Sequence, residues 1–247
     1  MDHQNENDAS NSLKSISVII LSIILLLGVP RLAGLIVHQF NYQQIDPDDA
    51  FAWMSVRHVI QMLIFLLIIV VLIKTKGIDF QLGKGDPQEG LSHVKKFTFY
   101  FFLLNALSYL IMYLSGAFAP YPKPMTARNI VGYLGFSLFL SGPSEELIFR
   151  AFAMTIFAIY VPGKIGSSKI SKANLLAAIV FAAAHIGIQY DPFLLTIDPM
   201  HLLFCAGLGL IYGISFEKSK SVYYPAIMHS ISNFIVVGSL FVLTVLI

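Results

Sequence analysis

The feature that most limits this chain is a succession of apolar segments, each about as long as a bilayer is thick, at 16–38, 52–73, 97–118, 129–161, 174–190, 200–216 and 222–247. A helical span needs about 20 mostly apolar residues, and only a helix or a closed barrel satisfies its own backbone in hydrocarbon. Seven such segments in 247 residues leave short connections, so 1–247 is expected to form a single transmembrane domain. Hydrophobic residues make up 56% and charged residues 12%, with a mean hydropathy of +0.74; a soluble fold of this length would lack polar surface. The expected fold is therefore all-α: a polytopic transmembrane helical bundle of about seven spans, or eight if the fourth divides. That fourth segment, 129–161, is too long for one straight span and contains Gly142 and Pro143, so it is expected to be broken or tilted there. Pro30 is expected to break the first segment in the same way, leaving Arg31 to snorkel.

Charge placement orients the bundle. Lysine and arginine accumulate on the cytoplasmic side of membrane proteins, while acidic residues contribute little. One set of loops carries Lys74, Lys76, Lys84, Lys95 and Lys96, then Lys164, Lys169 and Lys172, then Lys218 and Lys220, with Lys14 before the first span. The opposite set carries Asp46, Asp48 and Asp49, then Lys123 and Arg128, then Asp191 and Asp198. The alternation fits a cytoplasmic N-terminus and an external Ile247. Residues 1–11 are polar and acidic, unlike the start of a secretion signal, so the first apolar run is expected to be a retained helix.

Several chemistries are excluded. Cys205 is the sole cysteine, which rules out an intrachain disulfide and a thiolate cluster, and it is expected to be a small core residue. The glycine-rich stretch 83–87 lacks the Gly-Lys-Ser/Thr of a phosphate loop. There is no His-Glu-x-x-His, no Gly-x-Ser-x-Gly and no pair of intramembrane aspartates. No internal repeat suggests a transporter, and Arg57 and His58, the obvious candidates for a second polar path, are expected at the membrane interface.

The informative residues are ionisable groups inside apolar segments, which cost several kcal/mol unless they are paired or line a polar cavity. Glu146 and Arg150 stand four apart and share a helical face, with the glutamate on the N-terminal side as an ion pair prefers. Glu145 points about 100 degrees away, so it needs another partner. Ser141 or Ser144 could cap a helix starting at the Gly142-Pro143 step. His185 follows a small-residue run after Phe181, and His229 and Asn233 are four apart on one face of the last segment. With Glu145, these side chains could hold a metal ion or an activated water, the two routes by which peptide hydrolysis obtains its nucleophile. A purely structural polar knot would use the same groups.

Taken together, Glu145-Glu146-x-x-x-Arg150, Phe181-x-x-x-His185 and His229-x-x-x-Asn233, in that order on three apolar segments, resemble the signature of the CAAX protease and bacteriocin-processing family. That family contains the type II CAAX prenyl endopeptidases, and the resemblance spans about 129–236 as a catalytic core. It implies an intramembrane endopeptidase in which Glu145 is the general base, Glu146 and Arg150 are an orienting pair, and His185, His229 and Asn233 complete the site. Because the family is usually classed with the metallopeptidases, the resemblance also implies Glu145, His185, His229 and Asn233 as candidate ligands of a divalent metal such as zinc. It implies membrane lipid and a membrane-associated, prenylated or hydrophobic peptide as partners, no nucleic acid, and residence in a bacterial cell membrane. A non-catalytic self-immunity or membrane chaperone protein of the same fold is the alternative.

Overall fold

The computed structural model describes residues 2–167, 170–190 and 192–246; Lys169, Asp191 and Ile247, each assigned to one side of the membrane above, lie outside them. Five helices among the described residues are long and apolar enough to cross a membrane: α1 (Asp2–Val37, apolar from Ser12), α2 (Ala52–Lys76), α3 (Pro87–Leu114), α8 (Pro199–Ser219) and α9 (Tyr223–Leu246). Their outward faces carry exposed Leu, Ile and Phe side chains in numbers that only lipid could cover, such as Leu67, Phe99, Leu203 and Val242. The remaining passage, 127–160, is helical throughout, and α7 (Lys172–Ala184) is short.

Local chemistry sets the ends. Asp86 caps α3 by accepting from the Gln88 and Glu89 amides, ahead of Pro87 in the first turn, so Lys95 and Lys96 stand inside α3 and not in the preceding loop. Gly77 closes α2 in the left-handed conformation, its amide bonded to the Ile73 carbonyl. The first segment does not break at Pro30; α1 runs through it, and Arg31 folds back to donate to the Leu27 carbonyl at 2.6 Å.

At Gly142-Pro143, where a break or a tilt is expected, the helix does not break but changes its winding. Residues 127–160 pass through α4 (Ala127–Phe136), a π-helical stretch Ser137–Ser141, α5 (Gly142–Glu146), a second π-helical stretch Leu147–Met154 and α6 (Thr155–Tyr160). Proline removes a helical amide and crowds the carbonyl one turn back, and a widened turn relieves both defects without leaving helical dihedrals. Ser141 makes no capping bond, and both serines are used elsewhere.

Apolar hydropathy alone also overstated the fifth segment. α7 has 13 residues, about 20 Å of rise, and ends at His185 before an antiparallel hairpin of β1 (Gly187–Tyr190) and β2 (Phe193–Thr196). The chain turns there because His185 adopts the bridge conformation that closes the helix.

The loops join at two ends of the bundle. At one end, Val222 donates to the Gln81 carbonyl, Ser221 Oγ to Gly83, and Asp86 to Ser219, while Ser171 donates to Glu217. At the other, Asn129 Nδ2 reaches Asp48 at 2.9 Å and the Tyr121 amide reaches Thr244 at 2.8 Å. Alternate connections thus sit on opposite ends. Close helix approach depends on small residues: a Cβ at Gly142 would fall 2.7 Å from Ser230 Oγ of α9 and 3.0 Å from the Ala226 carbonyl.

Candidate active site

Glu145 and Glu146 occupy the short α5 turn between the two π stretches and, being adjacent, point to different sides. Glu146 faces inward. Its Oε2 lies 2.9 Å from Arg150 Nε and its Oε1 accepts from His229 Nδ1 at 2.8 Å, with the side chains of Glu146 and Arg150 fully buried. The Arg150 contact is an ion pair by distance whose angles fall outside hydrogen-bond geometry. The guanidinium is instead sandwiched, 5.1 Å from the Phe181 ring centre and 5.7 Å from that of Tyr212. The expected pairing of Glu146 with Arg150 is the one the fold makes.

Glu145 faces a cavity of about 740 Å³ shared by α1, α2, the Leu147–Met154 stretch, α7 and β1. Its Oε1 is 3.0 Å from His58 Nε2, and its Oε2 is 3.9 Å from His229 Nε2. His58 Nδ1 is also bonded, 2.8 Å from the Met54 carbonyl. Both nitrogens of His58 therefore face acceptors, so one proton must sit in this contact: either the imidazole is charged or Glu145 carries the proton. His229 differs. Its Nδ1 is bonded to Glu146, and its Nε2 stands 3.9 Å from Glu145 Oε2, beyond a direct hydrogen bond.

The residues expected from the sequence assemble unevenly. Glu145 lies 18 residues from Ala127 and His229 lies 17 from Leu246, so two helices tied at that end carry them to the same depth. His185 lines the same cavity and spends Nδ1 on the Phe181 carbonyl at 2.8 Å, leaving Nε2 free. Asn233 Nδ2 donates to Ser141 at 3.0 Å, one turn before Glu145. Two further residues at the site are His58, which is 6% exposed and bonded to Glu145, and Gln61, which donates to Ser144 at 3.1 Å. The available signal was an ionisable pair, Arg57-His58, inside an apolar segment.

Residues 127–235 match the family model described as type II CAAX prenyl endopeptidase Rce1-like. Over these residues the chain is similar to that family. With five apolar helices, that makes the chain a membrane protein and supports a CAAX-type intramembrane protease. No curated protein and no solved structure matches it.

The ligand atoms implied for a metal at this site are not gathered into one cluster. Tetrahedral zinc with N or O ligands at about 2.0–2.2 Å needs donor atoms about 3.3–3.6 Å apart. Among the described residues, the three His, Cys, Asp or Glu side chains whose ligand atoms all approach within 4.8 Å are His185, His201 and Cys205, not Glu145, His185 and His229. Glu145 is already engaged by His58, and His229 by Glu146. The His185, His201 and Cys205 cluster could hold a metal ion.

Proposed function

We propose that this protein is an intramembrane endopeptidase that cuts a peptide bond in a membrane-associated substrate, a prenylated C-terminus in particular. The observation that carries this is the pairing of Glu145 with two imidazoles at the wall of a cavity, while the neighbouring Glu146 and Arg150 neutralise each other away from it. A water bonded to both Glu145 Oε2 and His229 Nε2, at about 2.8 Å from each, fits across their 3.9 Å separation. Glu145 takes its proton as the oxygen attacks the carbonyl carbon. The C–N bond then breaks as the protonated carboxyl returns that proton to the leaving nitrogen. The His58 contact holds Oε1 and leaves Oε2 toward the water. The carboxamide of Asn233, and His185 when charged, supply donors for the oxyanion.

The cavity's walls combine apolar Leu35, Ile148, Phe149 and Ile188 with Arg31, Arg57 and His38, which suits a lipid-modified peptide with one polar end. Its lining includes His38, at the start of the 38–51 loop, and Gly187 to Gln189 of the hairpin, which places it toward that end of the bundle. By charge alternation that end is external and the N-terminus cytoplasmic. The test uses purified protein in proteoliposomes with a farnesylated CAAX peptide, its unprenylated twin and an unrelated hydrophobic peptide. Release of the C-terminal fragment from the prenylated peptide alone is expected. Cleavage of none, by a folded protein, would favour a non-catalytic binding role on the same fold.

A further inference from the structure

The histidine that lines the cavity also belongs to a second group of side chains. His201 and Cys205 are four apart on α8, one turn inside the Asp198 cap, and Cys205 Sγ stands 3.6 Å from His201 Nε2. Zinc bonds of about 2.3 Å to sulfur and 2.0–2.1 Å to nitrogen, at the tetrahedral angle, place those two atoms about 3.5–3.6 Å apart. The spacing is thus that of two ligands of one ion. His185 faces the pair, its ring centre 5.6 Å from that of His201 in edge-to-face orientation, and the ligand atoms of all three lie within 4.8 Å. Its Nδ1 is held by the Phe181 carbonyl, so the atom offered is Nε2, oriented by a backbone acceptor as metal-bound imidazoles usually are. A donor set of two imidazoles and one thiol suits zinc and other soft divalent ions, with the thiol losing its proton on binding.

We propose that His185, His201 and Cys205 form a site for a thiophilic divalent cation, and that its occupancy switches the protease off. The second half rests on the function proposed above. His185 has one available nitrogen, and that nitrogen can either face the oxyanion in the cavity or bind the ion, not both. Binding would also fasten α7 to the start of α8 beneath the hairpin whose first strand forms one wall of the cavity.

Cobalt is the probe, because a thiolate-bound cobalt ion absorbs in the near ultraviolet independently of any proteolysis. Metal-stripped full-length protein in detergent is titrated with cobalt, then with zinc, alongside Cys205→Ser and His201→Ala. Neither residue has a part in the proposed reaction, so both variants should cleave like the parent without metal. The expected result is a charge-transfer band in the parent that zinc displaces, its loss in Cys205→Ser, and cobalt affinity weakened by about tenfold or more in His201→Ala. Saturating zinc should abolish cleavage by the parent and spare Cys205→Ser. Absence of the band, or a band that both variants keep, would overturn the site. A band present in the parent with cleavage indifferent to zinc would overturn the switch. If the parent cleaves nothing, the cobalt titration still decides the site, and the failure belongs to the proposed function.

Discussion

Replacing Arg150 with alanine should cost the fold more than the loss of one side chain suggests. Arg150 and Glu146 are both inaccessible to solvent, and the guanidinium packs between Phe181 and Tyr212. The substitution leaves Glu146 with His229 as its remaining partner in a low-dielectric interior. Breaking a buried pair by removing one member costs about 3–5 kcal/mol, and the two aromatic faces add about 0.5–2 kcal/mol each where the cation is desolvated. For a chain of this length, about 4 kcal/mol corresponds to a fall in Tm of about 10 °C. Thermal unfolding of the purified variant in detergent, followed by circular dichroism, measures it. The control is Arg150→Met combined with Glu146→Gln, which removes both charges at similar volume and should recover most of the lost stability. Arg150→Lys should fall between, since it keeps the charge but loses the planar fork that stacks on the rings. An alanine variant melting with the parent would refute the claim that this pair supports the fold.

His58→Ala should lower cleavage about 10–100-fold, the worth of a hydrogen bond to a charged group, and should also lower Tm because Glu145 loses a buried partner, while His58→Gln should restore part of both. Parental cleavage by His58→Ala would remove His58 from the site. Asp46, in the 38–51 loop, is 1% exposed; burial raises its carboxyl, but bonds from the Ala50, Ala52 and Phe51 amides outweigh that and hold it below its ordinary 3.8. Its contribution is therefore full above the unfolded value and lost as pH falls through the depressed folded value, so Asp46→Ala should destabilise by about 2 kcal/mol at pH 7 and progressively less in acid. A pH-independent difference would contradict that. In a Cys205→Ser background, Gln43→Cys should react with an impermeant thiol reagent from outside the cell and Lys218→Cys only after permeabilisation; the reverse pattern would invert the topology.

The sequence was legible where physics acts locally or through one dominant cost. Seven apolar segments and alternating lysine loops could be read because hydrocarbon penalises polar backbone everywhere along the chain. The Glu146 and Arg150 pair could be read because helical spacing alone brings them together. Proline was misread twice, at Pro30 and Pro143, because sequence registers the missing amide but not the π turns or neighbouring helices that absorb the defect. α7 is overextended in the sequence reading because Ile188 is as apolar in a hairpin strand as it would be in a span. His58 is not legible because its partner Glu145 reaches it only once helices distant in sequence are packed; His201 and Cys205 stand one helical turn apart, and only His185 joins them through the fold.

The central claim is that Glu145 moves the proton of the attacking water. Glu145→Gln keeps the size and one hydrogen-bonding oxygen while removing the base, and Glu145 lies outside the pair that supports the fold. The decisive measurement is the single-turnover cleavage rate of the farnesylated peptide by parent and variant, reconstituted at matched helix content and Tm. A fall of about 10²–10⁴-fold with the fold retained is the result predicted. Cleavage by the folded glutamine variant at the parental rate would contradict it.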